Sequence, residues 1–244
     1  MSIITAVFNR NSVVARSVES LQAQTYSDLE HLIIDGGSDD GTLEILAKMA
    51  DERTHITSQP DEGIYDALNK GIGLATGEVI GLLHSDDVFA SPTVLERVAR
   101  EFEDSDVDAV YGDLQYVSAQ DTTSVVRHWR AGRFSMDSLS RGWMPPHTTL
   151  FLRREVFERL GKYDTSYTIA ADYNAILRWF GRGAIRSSYI PEVLVLMHLG
   201  GKSNGSLNQI VRKSKEDYRA LRESRIGGIG TLALKNLRKL EQFL

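Results

Sequence analysis

Apolar stretches of strand length recur through the first half of the chain, separated by segments with helical spacing of apolar residues. The strand-length stretches are residues 3–8, 29–34, 55–58, 79–83 and 107–111, and the helical segments are residues 13–21, 43–47, 64–72 and 94–102. Strands that are apolar on both faces and alternate with helices are typical of a parallel sheet covered by helices. We therefore predict a Rossmann-like α/β layer over residues 1–115.

The second half of the chain is less regular. It contains a polar stretch at 118–124, a loop at 142–147, helical segments at 153–160 and 169–180, and a strand at 184–197. Two basic helical segments follow at 207–223 and 232–243. We predict three parts: 1–115, an elaboration of the same sheet at 116–203, and a helical extension at 204–244.

Composition places the chain among ordinary globular proteins, with 244 residues, 42% hydrophobic and 25% charged. No apolar run approaches the length of a membrane span, and the chain starts on a strand-like stretch, so we expect neither a spanning helix nor a signal peptide. The chain has no cysteine, which excludes disulfides, a thiolate nucleophile and a cysteine-ligated zinc site. A cytoplasmic location is favoured.

Charge is distributed unevenly along the chain. The net charge is -5, yet residues 201–244 hold ten Lys and Arg against four acidic residues. The remaining body is strongly acidic, which argues against a nucleic-acid groove there, because such a groove needs clustered basic residues.

Polar and acidic residues follow four of the predicted strands. They lie at residues 8–11, 35–41, 60–63 and 84–87. Open parallel sheets bind ligands at the carboxyl ends of their strands. The first of these segments has no glycine, and no P-loop occurs, so a dinucleotide site and P-loop NTP hydrolysis are both disfavoured. A sugar-activating nucleotidyltransferase would show a glycine-rich basic loop there, and only Arg10 is present.

The acidic pair Asp86 and Asp87 is the sharpest chemical signal at these strand ends. Carboxylates suit Mg²⁺ or Mn²⁺, which complete their coordination with water and substrate phosphates. The alternative is that the pair caps the next helix or solvates a turn. Asp35 and Asp61 are expected at the same edge, and an acidic cluster repels itself unless a cation lies in it.

Seven segments in order resemble glycosyltransferase family 2 enzymes of GT-A fold. They are Ile4–Asn9 (ITAVFN), Ser20–Tyr26 (SLQAQTY), Ile33–Ser38 (IIDGGS), Asp40–Thr42 (DGT), Glu62–Gly71 (EGIYDALNKG), Ala75–Glu78 (ATGE) and Leu83–Asp87 (LHSDD). The resemblance is dense over residues 2–115 and continues to about residue 203. It implies that 1–115 binds a nucleotide sugar and that 116–203 forms the acceptor side.

The resemblance also implies donor-site residues. Those expected at the nucleotide base are Thr5, Ala6, Asn9 and Asp35, with Asp66, Lys70, Ser85 and Asp86 elsewhere in the donor and cofactor site. For Asp35 the alternative is a local turn with the two glycines that follow it. For Asp66 and Lys70 it is an exposed i,i+4 ion pair.

The metal motif of the family falls on residues 84–86, with His84 in place of the first acid. The resemblance assigns the metal to Asp86. It implies that His198 contacts the metal or the diphosphate, with a structural histidine as the alternative, and that Asp87 supports either the metal ligands or the acceptor side. The implied cofactor is a divalent cation, Mn²⁺ or Mg²⁺.

The family places its general base at the start of a helix, which implies Asp172. The alternative is an acidic residue that stabilises the first helical turn. Trp143 and His147 are expected on the acceptor side, with ordinary packing as the alternative.

The resemblance thus implies an inverting hexosyltransferase that moves a sugar, from a UDP-sugar by preference, to a hydroxyl of a glycan or lipid-linked acceptor in polysaccharide biosynthesis. A non-catalytic nucleotide-sugar-binding or partner-docking module and a nucleotidyltransferase are the alternatives.

The basic tail predicts an amphipathic helix. Its apolar residues are Leu232, Leu234, Leu237, Leu240, Phe243 and Leu244, and its basic residues are Lys235, Arg238 and Lys239. Such a helix either packs on its own domain or a second subunit, or contacts an anionic inner-membrane face.

Overall fold

The computed structural model describes residues 1–118, 124–183, 185–198, 207–238 and 242. The strands are β1 (Ser2–Val7), β2 (Glu30–Asp35), β3 (Thr54–Ser58), β4 (Val79–Leu82), β5 (Asp87–Phe89), β6 (Ala109–Val117), β7 (Val125–Trp129), β8 (Phe151–Arg153) and β9 (Ser187–His198). The helices are α1 (Val14–Gln22), α2 (Thr42–Met49), α3 (Ile64–Leu74), α4 (Val94–Glu101), α5 (Met136–Ser140), α6 (Arg154–Leu160), α7 (Ala171–Arg182), α8 (Leu207–Ser224) and α9 (Ile229–Leu237). A single 3₁₀ turn covers His147–Thr149.

Within the described ranges, all strands belong to one sheet with the order β3-β2-β1-β4-β8-β6-β9-β5, and β7 pairs with β6. β1 pairs in parallel with β2 and β4, and β2 pairs in parallel with β3. β9 runs parallel to β6 and antiparallel to β5. The predicted α/β class with a mostly parallel sheet and flanking helices is confirmed.

The elements that the sequence pattern did not predict are short. They are β5, β7, β8 and α5, of three to five residues each. The last helix also differs from the prediction, because α9 spans Ile229–Leu237 rather than 232–243. Residues 239–241, 243 and 244 of that prediction lie outside the described residues, as does Ala184 of the predicted last strand.

Helix α3 lies unusually close to the sheet. A Cβ atom added at Gly71 would meet Ile4 Cγ2 on β1 at 2.5 Å, so only glycine permits this approach. Leu68 and Ile72 on the same side of α3 are buried in the core that α3 shares with α7. This packing holds α3 against β1.

None of the helices in the described ranges is both long enough and apolar enough to cross a bilayer.

Candidate active site

The carboxylate of Asp35, at the end of β2, is buried and fully hydrogen-bonded. Its Oδ2 accepts from the backbone N–H of Gly37 and of Ser38, both at 3.0 Å, and from Ser58 Oγ at 2.7 Å. Ser38 Oγ donates to the other oxygen. This arrangement corresponds to the local-turn alternative, in which Asp35 shapes the loop after β2.

The end of β1 is joined to that loop. Asn9 adopts a left-handed backbone (φ 54°), and its Oδ1 accepts from Asp39 N–H at 3.1 Å. Its own N–H donates to Ser38 Oγ at 2.8 Å. Thr5 Oγ1 lies 2.9 Å from His31 Nε2 inside the sheet, and Ala6 is buried beside it. The side chain of Thr5 is therefore turned to a neighbouring strand.

Asp66 and Lys70 form the i,i+4 ion pair given as the alternative to a donor-site role. The Nζ of Lys70 lies 3.0 Å from Asp66 Oδ2 and donates to Pro60 O at 3.0 Å. This pair ties α3 to the segment that follows β3, and both side chains are half-buried. A phosphate near Lys70 would compete for an ammonium group already held by two oxygens.

Asp86 and His198 meet at the end of β9. His198 Nδ1 lies 2.7 Å from the backbone oxygen of Asp86, which can only accept, so Nδ1 carries the proton. In the neutral ring Nε2 then has a free lone pair, and it is buried without a hydrogen-bond partner. A backbone carbonyl that holds the Nδ1 proton is the usual support of a metal-binding histidine.

Asp86 and His198 are the candidate protein ligands for a divalent cation that also takes substrate oxygens. Among the described residues there is no group of three or more His, Cys, Asp or Glu side chains that could hold a metal by themselves. Mg²⁺ and Mn²⁺ sites on nucleotide substrates commonly use one or two protein ligands. The neighbouring Ser85 is buried.

Asp87 lies within the sheet, and its side chain is buried. It opens β5, pairs with Met197 on β9 and is 1% exposed. Burial and then the nearby charge of Asp86 raise its pKa well above the usual value, and neither oxygen has a hydrogen-bond partner. This burial corrects the expectation that Asp87 faces the acceptor, because no oxygen reaches solvent.

His84, which replaces the first acid of the metal motif, contacts a histidine instead. Its Nε2 lies 2.8 Å from His147 Nε2, and His147 Nδ1 faces Asp172 Oδ2 at 3.6 Å. Burial, and then His147, lower the pKa of His84 to about 3. The three side chains form a continuous row from the end of β4 to the start of α7.

The 3₁₀ turn fixes the position of His147 in this row of three side chains. Thr149 Oγ1 donates to Gly112 O on β6 at 2.8 Å, which fixes the turn that begins at His147. Burial lowers the pKa of His147 although Asp172 acts in the opposite direction. A neutral His147 that directs Nδ1–H toward Asp172 accepts at Nε2 from His84.

Asp172 is the second residue of α7 and its carboxylate is largely enclosed. Oδ1 accepts from Tyr173 N–H at 2.8 Å and lies 3.4 Å from Tyr65 Oη. Burial raises the pKa of Asp172, but His147, Lys213 and Lys235 outweigh it, so that the pKa is below the usual value. The structure therefore keeps a charged carboxylate in a water-poor position.

Trp143 packs inside the core. Its Nε1 donates to Ala131 O at 2.7 Å, and its ring makes edge contacts with Tyr111 and Phe180. The side chain is 4% exposed, so this burial corrects the expectation of sugar stacking in favour of the packing alternative.

Tyr65 is a site residue that the sequence reasoning missed. Its Oη donates to Ile169 O at 2.8 Å in addition to its contact with Asp172. It lies inside the segment Glu62–Gly71, which was noted for Asp66 and Lys70 only. The contact joins α3 on the donor side to the start of α7.

The fold defines a class of protein. The solved structures similar to this chain include a mannosyltransferase of Pyrobaculum calidifontis in complex with GDP-Man and Mn²⁺, with TM-score 0.70 at 18% identity, over 99% of this chain and 72% of that one. They also include residues 1–349 of Staphylococcus aureus TarS in complex with UDP-GlcNAc, with TM-score 0.67 at 16% identity, over 92% of this chain and 65% of that one. At these identities the likeness concerns the fold, which is that of the GT-A glycosyltransferases.

The family follows from the sequence comparisons. Residues 2–161 match the profile described as "Glycosyl transferase family 2". A PGL/p-HBAD biosynthesis glycosyltransferase of Mycobacterium bovis is 35% identical over 210 residues, which are 83% of this chain and 78% of that protein. An uncharacterized glycosyltransferase of Mycobacterium tuberculosis is 33% identical over 73% of this chain and 68% of its own. The chain belongs to glycosyltransferase family 2.

Proposed function

We propose that this chain is an inverting hexosyltransferase that moves a sugar from a nucleoside-diphosphate donor, a UDP-sugar by preference, to a hydroxyl of a glycan or lipid-linked acceptor. The observation that carries the proposal is Asp172. It is an ionised carboxylate at the start of a helix, next to the ends of the sheet strands that carry the metal motif. A general base needs this charge state and this reach.

The proposed reaction is a single displacement at the anomeric carbon. The acceptor oxygen attacks that carbon while Asp172 takes the hydroxyl proton. The bond from the anomeric carbon to the diphosphate oxygen breaks, and its electron pair leaves with the nucleoside diphosphate. Attack opposite the leaving group inverts the configuration. The Tyr173 amide donates to the carboxylate, and Tyr65 and His147 lie against it and limit its movement.

Asp86 and His198 are the residues that would hold the divalent cation. A cation there would neutralise charge that develops on the leaving diphosphate. The free Nε2 lone pair of His198 supports this assignment. Asp87 is buried and its oxygens have no hydrogen-bond partner, so we assign it no contact with the substrate.

The nature of the donor is supported by the neighbours with the same fold. One of them is described with GDP-Man and Mn²⁺ and another with UDP-GlcNAc. A role in polysaccharide biosynthesis at the cytoplasmic side of the inner membrane would suit the basic tail. We propose this location together with the reaction.

A panel of sugar nucleotides tests the proposal. Thermal shift with UDP-, GDP- and dTDP-sugars, with and without Mn²⁺, identifies the donor, and release of nucleoside diphosphate reports turnover. Binding without hydrolysis or transfer would indicate a non-catalytic module, and formation of pyrophosphate from a sugar phosphate and NTP would indicate a nucleotidyltransferase. Inversion is read from the anomeric configuration of the product.

A further inference from the structure

The turn before helix α7 has no cap of its own. Its N-cap residue is Ala170, which has no side chain able to accept a hydrogen bond. An apolar N-cap offers no side-chain acceptor to the first helical amides, and in α7 the carboxylate of Asp172 itself accepts from the Tyr173 amide. Asp172 lies two residues beyond this cap, so the quality of this turn decides where the carboxylate lies.

Glu216 of α8 binds the segment that leads into α7. Its Oε2 accepts from three successive backbone amides, those of Thr168 at 3.1 Å, Ile169 at 2.8 Å and Ala170 at 3.0 Å. A carboxylate at this place also complements the helix dipole of α7. Although burial alone would raise it, these amides lower the pKa of Glu216, so the side chain is charged.

Tyr65 of α3 also contacts this turn, through a backbone carbonyl oxygen. Ile169 O accepts from Tyr65 Oη at 2.8 Å, and that hydroxyl also reaches Asp172. Hydrogen bonds from both α3 and α8 therefore hold this turn. Removal of the Glu216 contact would leave three amides without their acceptor, while Arg212 of α8 would still donate to Thr168 Oγ1 at 2.6 Å.

Helix α8 is itself fixed against α7. Asp217, the neighbour of Glu216, forms a buried ion pair with Lys235 of α9 at 2.7 Å, with exposed fractions of 2% and 4%. The Nζ of Lys235 lies 3.6 Å from the ring centre of Tyr173, next to Asp172. A Cβ at Gly142 would meet the Lys235 backbone at 2.8 Å, so α9 lies directly on the acceptor-side loop.

We propose that Glu216 is a positioning residue for Asp172, through the turn at residues 168–170, and that α8 and α9 are therefore part of the catalytic apparatus. The inference rests on the proposed function. It assigns to the C-terminal segment a role in the chemical step, in addition to any role in attachment.

Three variants and one control test this assignment. Glu216→Ala removes the acceptor, Glu216→Gln keeps an oxygen that can accept, and Glu216→Asp keeps the charge but withdraws the oxygen by one methylene. The control is Glu223→Ala on the same helix. Glu223 accepts from Tyr167 Oη at 2.6 Å, just before the turn, but from none of its three amides.

The readout separates kcat from binding. It uses hydrolysis of UDP-N-acetylglucosamine or GDP-mannose, whichever the wild-type protein turns over faster, and UDP binding by calorimetry. We expect Glu216→Ala to lower kcat by about tenfold or more, because small displacements of a catalytic group are costly. UDP affinity and binding stoichiometry should stay within about twofold, since the donor site is not touched. Glu216→Gln should recover most of kcat, and Glu223→Ala should stay close to the wild type.

A kcat of Glu216→Ala equal to that of the wild type would overturn the inference and leave the proposed function intact. So would a kcat loss matched by an equal loss of UDP-binding stoichiometry, or an equal kcat loss in Glu223→Ala. If Glu216→Ala does not fold, Glu216→Asp decides, and unchanged kcat there overturns the inference. A wild-type protein that turns over no sugar nucleotide would overturn the proposed function and this inference with it.

Discussion

At the scale of single residues, the environment of Asp172 combines enclosure with compensating positive charge. Burial alone would favour its neutral form, which cannot accept a proton. His147, Lys213 and Lys235 restore the charged form, and the Tyr173 amide gives it a fixed hydrogen bond. Because the pKa of Asp172 is below the usual value, its carboxylate is ionised at pH 7 and loses its charge only when the pH falls through that lowered pKa.

Asp172→Asn should abolish transfer and leave donor binding nearly unchanged. The amide keeps the shape of the side chain but cannot take a proton, so kcat should fall by about 10² or more. Steady-state kinetics and donor titration by calorimetry measure the two quantities. Asp164→Asn, the same exchange at an exposed residue before α7, serves as the control. Near-native turnover of Asp172→Asn would exclude the assignment.

Asp86→Ala should remove the effect of Mn²⁺ on UDP binding. The variant deletes a ligand of the cation that neutralises the diphosphate, so calorimetric affinities with and without metal should become equal. Asp106→Ala, a remote exposed carboxylate, should keep the metal effect. If Mn²⁺ still strengthens UDP binding to Asp86→Ala, then Asp86 is not the ligand on which the metal effect depends.

The sequence predicts roles for Asp86, Asp172 and His198 because each lies in a local motif. It could not show that His84 contacts His147, because 63 residues separate them and only the sheet brings them together. Trp143 and Asp87 differ from expectation for the same reason. Their burial is decided by β6, β9 and α7, which local sequence does not reveal.

At the scale of elements, long periodic segments were predicted well and short ones were not. Continuous apolar residues in the sequence predict strands β1, β2 and β4. Strand β5 has only three residues, and it forms because β9 pairs with it. Helix α9 shows the limit of periodicity. Lys235 was expected on a cationic outer face, and the structure instead buries it against Asp217, because a buried carboxylate on α8 compensates its charge.

Lys235→Met should therefore destabilise the protein strongly. It leaves Asp217 buried, with Lys213 at 3.7 Å as its other cation, and loss of one partner of a buried pair costs about 3–5 kcal/mol. Urea unfolding measures the free energy. Lys215→Met, at an exposed lysine of α8, is the matched control and should change little. Equal stability of the two variants would show that the Asp217–Lys235 pair is unimportant for stability. Addition of Asp217→Leu to Lys235→Met should restore much of the lost free energy of unfolding.

At the scale of the whole molecule, the outer face of α9 is apolar. Ile229, Leu234 and Leu237 are 74%, 44% and 58% exposed. They belong to the basic C-terminal segment of an otherwise acidic chain. Basic residues near an anionic bilayer contribute about 1 kcal/mol each and are screened by salt. This face is the surface that the proposed membrane contact would use.

We expect salt-sensitive binding to phosphatidylglycerol-containing vesicles that is lost when Ile229, Leu234 and Leu237 are all replaced by serine. Vesicle flotation at low and high salt measures it. Replacement of the exposed Ile210 and Val211 on α8 by serine is the control and should leave binding intact. Point variants are preferable to truncation, because removal of α9 would also remove Lys235. Equal binding to neutral and anionic vesicles would contradict the prediction. So would a dimer in solution that the same three serine replacements convert to a monomer, because the face would then bind a second copy of the chain.

The position of β9 between β6 and β5 has a consequence for synthesis on the ribosome. The nascent chain can assemble β1 to β4 early, but β5 has no pairing strand until residue 198 has left the exit tunnel. The amides of residues 168–170, before α7, have no acceptor until Glu216 has also left the tunnel. A partly translated chain would therefore have strands β1 to β4 in place before the turn that leads to Asp172 is ordered.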